Sequence, residues 1–283
     1  MSTNRWTSTS SRSISLYEVL RYVVLIVISL LILGPLAWTL LSSFKTEAEL
    51  AARPPQLFPG QVNLDNYAGA MERFEFGTYL KNSLIVTVGA TVLTVVINTM
   101  CAYGLAKYNF RGRNFLFLLV LATIMIPLQV ILIPVYQMAA RLGMVDSYLG
   151  LIIPPAATPT GVFLLRQYML GLPDELIEAA RVDGASELGI FARVIIPLCG
   201  APIAVVTIFS VMWRWNDFLW PLIISQSSDM YTLPVALAQF NSELIVPFNY
   251  ILAMSIVSML PVIIIFLFLQ RRIVTGIAAT GLK

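Results

Sequence analysis

Six stretches of almost unbroken apolar sequence, at 22–41, 84–106, 115–138, 149–165, 201–224 and 251–269, constrain this chain more than any other feature. A bilayer core about 30 Å thick takes about 20 helical residues to cross. Inside it every backbone N–H and C=O must be bonded within the protein. The expected fold is therefore all-α, a polytopic membrane protein with six transmembrane helices. Only 12% of the 283 residues are charged, about half the share found in a water-soluble domain. The first stretch exceeds the roughly 7–15-residue core of a secretory signal, and no small-residue cleavage site precedes Lys45, so it reads as a retained helix. Pro154, Pro155, Pro159 and Gly161 interrupt the fourth, which reads as a kinked helix whose freed carbonyls neighbouring helices re-satisfy.

Basic residues set the orientation. Arg5, Arg12 and Arg21 precede the first stretch, Lys107, Arg111 and Arg113 join the second to the third, Arg166, Arg181 and Arg193 join the fourth to the fifth, and Arg271, Arg272 and Lys283 follow the sixth. The other side has only Lys45, Arg53, Arg73, Lys81 and Arg141, with Arg214 inside a stretch. The basic side is the cytoplasmic one, which puts both termini in the cytoplasm. Trp38, Tyr79, Tyr148 and Trp220 fall near the opposite ends of the stretches, where amphipathic rings favour the interface. The chain thus divides into a cytoplasmic tail over 1–20, a six-helix domain over 21–270 and a second tail over 271–283. Its outer loops are 43–82 and 226–249, and a long cytoplasmic elbow occupies 172–197.

Several function classes are poorly served by this inventory. A net charge of +3 is too small to suggest nucleic acid. There is no histidine, so the commonest general base and metal ligand is missing. Cys101 and Cys199 both lie in apolar sequence and read as small buried hydrophobes. No G-x-x-x-x-G-K-[ST] phosphate loop occurs, so a nucleotide site of that kind is not on this chain.

The elbow is the most acidic of the cytoplasmic loops, with Asp174, Glu175, Glu178, Asp183 and Glu187. Pro173 followed by Asp174 and Glu175 is helix-start chemistry, and Leu176, Ile177, Ala180 and Arg181 recur at helical spacing. Gly184 supplies a residue able to take positive φ and end that helix. Ser186 then caps a second one over 187–195, which Pro197 ends. Ala179 and Ala180 allow close backbone approach, and Glu178 and Arg181, three apart, can pair with each other or across an interface. Acidity argues against an anionic lipid surface and for a protein partner.

Within this elbow, Glu178-Ala179-Ala180, then Asp183-Gly184-Ala185, Phe191 and the ending Val194-Ile195-Ile196-Pro197 resemble the EAA loop of ABC importer permeases. Ser43-Phe44-Lys45, Asn66-Tyr67, Asn82-Ser83-Leu84, Trp215-Asn216-Asp217-Phe218 with Pro221, and the tail from Gln270 to Lys283 are similar to the carbohydrate-uptake branch of that family, in particular the second permease of maltose-type systems. The resemblance covers all but the first fifteen or so residues. It implies an ABC importer type I permease fold in a bacterial or archaeal cell membrane, with no enzymatic activity and no cofactor on this chain. It also implies a homologous second permease, a dimer of separate ATPase subunits carrying ATP and Mg, an extracytoplasmic substrate-binding protein, and a sugar or sugar-like polyol as cargo. Glu178, Ala179, Ala180, Arg181, Asp183, Gly184 and Ala185 would form the ATPase-coupling helix, and the tail would also reach the ATPase.

Charges within a membrane span are costly and are functional candidates by default. Arg214 and Asp217 can meet at i,i+3, and with Trp213, Trp215 and Asn216 they offer aromatic faces and polar groups that suit a sugar, or else form a structural pair beside interface tryptophans. Asn98, Gln129 and Gln137 are polar within spans, as path or as interhelical glue. Gln239, Phe240, Asn241 and Ser242 in the last outer loop are, by the same resemblance, the candidate contact with the binding protein, or else pack on the permease itself. A stand-alone ion-coupled transporter is the alternative class, which Arg214 and Asp217 would serve.

Overall fold

The computed structural model describes residues 16–242 and 247–280. Residues 1–15 and 281–283 of the expected tails and 243–246 of the outer loop lie outside the described residues. The chain begins with α1 (Leu16–Ser42), the short α2 (Glu47–Ala51) and α3 (Asp65–Arg73), then the long α4 (Phe76–Lys107). Next come α5 (Arg113–Ile124), α6 (Leu128–Arg141), α7 (Tyr148–Ile152) and α8 (Pro159–Leu170). The elbow is α9 (Glu175–Val182), α10 (Glu187–Ile190), a π-helical turn (Phe191–Ile195) and α11 (Ile196–Leu198). Finally α12 (Gly200–Trp215), α13 (Leu219–Ile224), α14 (Leu233–Ser242) and α15 (Phe248–Thr280) close the chain. The described residues contain no strand.

Two helices, Tyr17–Ser42 and Phe76–Lys107, are each long and apolar enough to cross a bilayer. Two bent pairs raise the number to four if each is one crossing: α5 with α6, at 106°, and Glu187–Leu198 with Gly200–Trp215, at 81°. The third expected stretch is thus not one straight helix. Pro127 removes a donor and restricts Ile126 before it, and the chain restarts at Leu128 with Pro127 extended (φ −58°, ψ 133°). The fourth is more broken than a kink, because residues 153–158 leave the helix altogether between α7 and α8. The fifth stops at Trp215, where the Asn216 side chain donates to the Met212 carbonyl at 2.7 Å and competes with the ladder. Pro197 does not end the elbow as expected. The helix runs through it to Leu198 and turns at Cys199.

α4, about 48 Å long at 1.5 Å per residue, is the hub, packed most closely by α8 and α12. Near its C-terminal end, the inner one if the basic residues mark the cytoplasmic side, Ala102, Tyr103 and Ala106 meet Leu165, Met169, Ile177, Ile190, Ile195 and Val206, so the elbow is seated on the same core as the bundle. Around its N-terminal end, the outer one on the same reading, Phe76 and Tyr79 meet Ala70, Phe74, Trp215, Leu233, Phe240 and Met254. A third cluster, Val86, Ala139, Leu151, Trp220 and Ile224, ties α6, α7 and α13 to α4. The apolar window of α1, by contrast, has no buried residue. Cys101 and Cys199 are both free thiols.

Candidate functional site

The elbow forms where the sequence placed it, and its geometry is built from local chemistry. Asp174 precedes α9, whose first turn carries Glu175 and Glu178 at the positive end of the helix dipole. Gly184 takes φ +79°, and its N–H donates to the Arg181 carbonyl at 3.0 Å while Ala185 N–H reaches the Ala180 carbonyl at 3.0 Å. A Cβ at Gly184 would meet nothing within 4 Å, so backbone conformation and not crowding is what selects glycine here. Ser186 caps α10 by accepting from Gly189 N–H at 3.2 Å.

Arg181 pairs with Glu187 and not with Glu178: its Nε and Nη2 donate to the two carboxylate oxygens at 2.7 and 3.2 Å. The pair closes the angle between α9 and α10 instead of bracing α9 internally, a contact across the turn that i,i+3 spacing could not reveal. The Tyr108 hydroxyl donates to the same carboxylate. Lys107, the last residue of α4, sends Nζ to Asp174 Oδ1 at 2.5 Å and to the Leu172 carbonyl at 2.6 Å. Arg166 Nε donates to the Leu105 carbonyl at 3.2 Å and its guanidinium lies 3.7 Å from the centre of the Phe117 ring. Sequence reading treated Lys107, Tyr108 and Arg166 as orientation signals or nothing; Lys107 and Tyr108 fasten the elbow to the end of α4, and Arg166 ties α8 to α4 and α5. Ile177 and Ile190 are buried beneath it, whereas Glu178, Ala179, Arg181, Asp183, Gly184 and Ala185 are exposed, with Ala180 half-buried. Val182 and Leu188 also stand out from the surface, 87% and 73% exposed. The elbow therefore presents an open face of mixed acidic, small and apolar character.

The residues 213–217 separate. Trp213 is exposed, while Trp215 is buried against α15 with Nε1 donating to the Ser258 carbonyl at 2.9 Å. Arg214 donates through Nη2 to the carbonyl of Pro155, in the non-helical segment between α7 and α8, and its Nε has no partner. Arg214 and Asp217 are not an ion pair: the only two among the described residues are Lys107–Asp174 and Arg181–Glu187. Asp217 lies in the break after α12, where its carboxylate faces the amides of Phe218, Leu219 and Trp220 at the start of α13. An i,i+3 pair needs continuous helix, and the helix ends between them. Asn98 is wholly buried and holds Thr158, its carboxamide NH2 reaching Thr158 Oγ1 at 2.5 Å and its oxygen accepting from Thr158 N–H at 3.2 Å. Gln129 and Gln137 are exposed.

On the outer side, carboxamides hold loop backbone. Asn82 Nδ2 donates to the carbonyls of Asp229 and Tyr231 at 2.7 and 3.0 Å, and Tyr148 donates to its oxygen at 2.6 Å. Ser83 Oγ accepts from Leu233 N–H at 2.8 Å. Asn66 donates to the carbonyls of Ser43 and Lys45, each at 2.8 Å, and accepts from Asn249 at 2.6 Å. Asp146, at φ +55°, accepts from Gln226 and Ser227 N–H at 2.8 and 3.0 Å. Partial burial raises that carboxyl, and the Ser227 and Gln226 amides more than offset it, leaving it below the usual carboxylate range. Of the four residues expected to meet a binding protein, Phe240 is buried, its ring 4.1 Å from that of Phe74, and so is not a surface contact. Gln239 is exposed. The side chains of Asn241 and Ser242 lie outside the described residues.

Residues 94–278, from within α4 to within two residues of the end of α15, match the family model of the binding-protein-dependent transport system inner membrane component. The chain belongs to this family. It is similar to the arabinooligosaccharides transport system permease protein AraQ of Bacillus subtilis (strain 168), 38% identical over 96% of this chain and 98% of the relative. The sn-glycerol-3-phosphate transport system permease protein UgpE of Brucella abortus (strain 2308) is 30% identical over 92% of this chain and 95% of its own. Among solved structures, a chain of a bacterial ABC transporter involved in import of the acidic polysaccharide alginate superposes with a TM-score of 0.84 at 25% identity, covering 94% of this chain and 99% of that one. The permease reading of the sequence holds, and family membership decides against a stand-alone ion-coupled transporter.

Proposed function

We propose that this chain is one of two homologous permeases in an ATP-driven importer of a sugar or sugar-like polyol, in a bacterial or archaeal cell membrane. Six crossings with both termini cytoplasmic complete the bundle, counting each bent pair once and adding α7 with α8 and the apolar part of α15. ATP and Mg act on a separate ATPase dimer. The carrying observation is the exposed elbow: Glu178, Ala179, Arg181, Asp183, Gly184 and Ala185 face outward from a base fastened to α4 by Lys107 and Tyr108. Such a face fits a groove on a partner, and a push on it acts on α4, the helix that reaches the outer loops. Alternating access then follows from a two-state equilibrium that the nucleotide and the loaded binding protein bias in turn.

Arg214, Asp217 and the adjoining Trp213, Trp215 and Asn216 remain the candidate path region, through the two breaks in the helices and not through an ion pair. Binding-protein contact falls to Gln239 and, beyond the described side chains, Asn241 and Ser242, beside the pinned loop 226–231. Similarity to permeases named for arabinooligosaccharides and for sn-glycerol 3-phosphate supports hydroxyl-rich cargo. Proteoliposomes holding both permeases and the ATPase dimer, supplied with the binding protein, test the reading with arabinotriose, diacetylchitobiose and sn-glycerol 3-phosphate as probes. Uptake of one of them that requires ATP and the ATPase is expected. Uptake that continues without the ATPase subunit overturns the proposal.

A further inference from the structure

α4 carries four polar residues, Thr87, Thr91, Thr94 and Asn98, spaced four, three and four apart and therefore on one face. All four are buried, at 3%, 5%, 0% and 0% exposure. Together they draw a polar line about 16 Å long down the middle of α4. Thr91 Oγ1 meets Ser210 Oγ of α12 at 3.0 Å. Farther in, Ala102 and Ala106 of α4 share a core with Cys199 and Val206, so the two helices run antiparallel, and Thr87 and Arg214 are each four residues outward along their own helix from the Thr91–Ser210 contact.

The line is not fully bonded. Thr87 Oγ1, Thr94 Oγ1 and Arg214 Nε are buried without partners. Thr99 and Thr207, on the same two helices, return their hydroxyls to the carbonyls four residues back, Val95 at 2.6 Å and Ile203 at 2.8 Å. A permanent interhelical seam would be expected to satisfy its hydroxyls, because an unpartnered one destabilises the state that buries it. The line also meets both breaks in the bundle: Asn98 holds Thr158 and Arg214 holds the Pro155 carbonyl, with residues 216–218 just beyond. Non-helical backbone at membrane depth is tolerated where protein buries it or where it borders a water-filled cavity, and discontinuous helices mark binding sites in transporters.

We infer that the Thr87–Thr91–Thr94–Asn98 face of α4, with Ser210 and Arg214 opposite, is a wall of the translocation path, shut in this conformation and opened to a hydroxyl-rich solute in the other. Threonine hydroxyls and a carboxamide both donate and accept, as a sugar hydroxyl does, and α4 adds no fixed charge to this face. The inference rests on the importer reading above and adds the residues that line the path.

Cysteine accessibility tests it in the complete importer. In a Cys101→Ser, Cys199→Ala background, Thr87→Cys or Thr94→Cys is exposed to a charged methanethiosulfonate reagent, with and without ATP and vanadate. A change in labelling rate of tenfold or more between the two conditions is expected. No labelling in either condition, while ATP-driven uptake of a probe sugar continues, overturns the inference and leaves the importer reading intact; loss of the ATP requirement itself overturns both. Thr94→Val gives a second readout. Removing an unpartnered hydroxyl should raise the melting temperature of the assembled complex by a few degrees and lower uptake about fivefold. A structural role would move both in the same direction, and that result would overturn the inference as well.

Discussion

The two ends of α4 are held by different chemistry. At the inner end the fasteners are charged and their partners face water: Asp174 is 74% exposed opposite Lys107, and Arg181 and Glu187 are 46% and 49% exposed. At the outer end the fastener on α4 is neutral and buried: Asn82, 0% exposed, donates to the Asp229 and Tyr231 carbonyls and accepts from Tyr148. Exposed ion pairs are worth little and weaken with salt. Buried carboxamides that satisfy several groups at once are costly to lose, because each orphaned partner keeps its desolvation penalty. The outer end is thus the costlier to break, and the inner end the more easily altered.

Breaking the outer end should have the largest effect. Asn82→Leu strands the Asp229 and Tyr231 carbonyls and the Tyr148 hydroxyl, and a loss of about 3 kcal/mol is expected, read as a lower thermal midpoint of the purified complex. A change under about 0.5 kcal/mol would mean that water replaces the carboxamide and that the two ends do not differ in kind. Gly184 comes next. A β-branched residue at φ +79° costs about 1–2 kcal/mol or bends the elbow, so Gly184→Val should leave the complex assembled but cut uptake per ATP hydrolysed. Gly184→Asn, tolerant of that conformation, should restore most of the coupling; equal defects in both variants would point to size and not to φ.

Smaller again is the Arg181–Glu187 pair. Glu187→Gln is expected to leave the thermal midpoint of the complex nearly unchanged while altering how uptake falls with added salt; a salt response identical to the parent's would remove the pair from the more easily altered end. The smallest effect belongs to a charged fastener on the outer side, Asp146. The Asp146 carboxyl lies below its unfolded range, so its contribution is complete above the ordinary carboxylate pKa and is lost as pH falls through the lower folded value. Protection of the Gln226 and Ser227 amides from exchange, corrected for intrinsic rates, should fall only below about pH 4, and Asp146→Asn should show no such fall.

Much of this was readable in the sequence because the signals are local. Apolar runs report the hydrocarbon core, Gly184 and Ser186 report a helix end and a helix start, and the Glu178–Gly184 pattern identifies the elbow whatever lies around it. The breaks were less readable. Pro127 sits in an apolar run that looks continuous to any window, and proline in a membrane helix can kink or break it according to which neighbours accept the freed carbonyls. The partners of the path candidates were less readable for a related reason. Spacing placed Arg214 and Asp217 together only on the assumption of continuous helix, and Phe240 looked like a loop residue until α14 folded its ring against Phe74. The threonines of α4 carried a usable signal, four polar residues at four-three-four spacing, that went unread because threonine in a membrane helix so often bonds its own backbone.

The sequence by itself determined the compartment, the helical class, the polarity of the elbow and the kinship with binding-protein-dependent permeases, since each depends on composition or on residues within a turn or two of one another. Only the tertiary structure decided which groups meet: Arg181 with Glu187, Lys107 with Asp174, Asn82 with a loop nearly 150 residues away, Arg214 with Pro155. Polar partners in a membrane bundle are chosen by which helices cross and at what depth. That choice is made by packing, which no local pattern encodes.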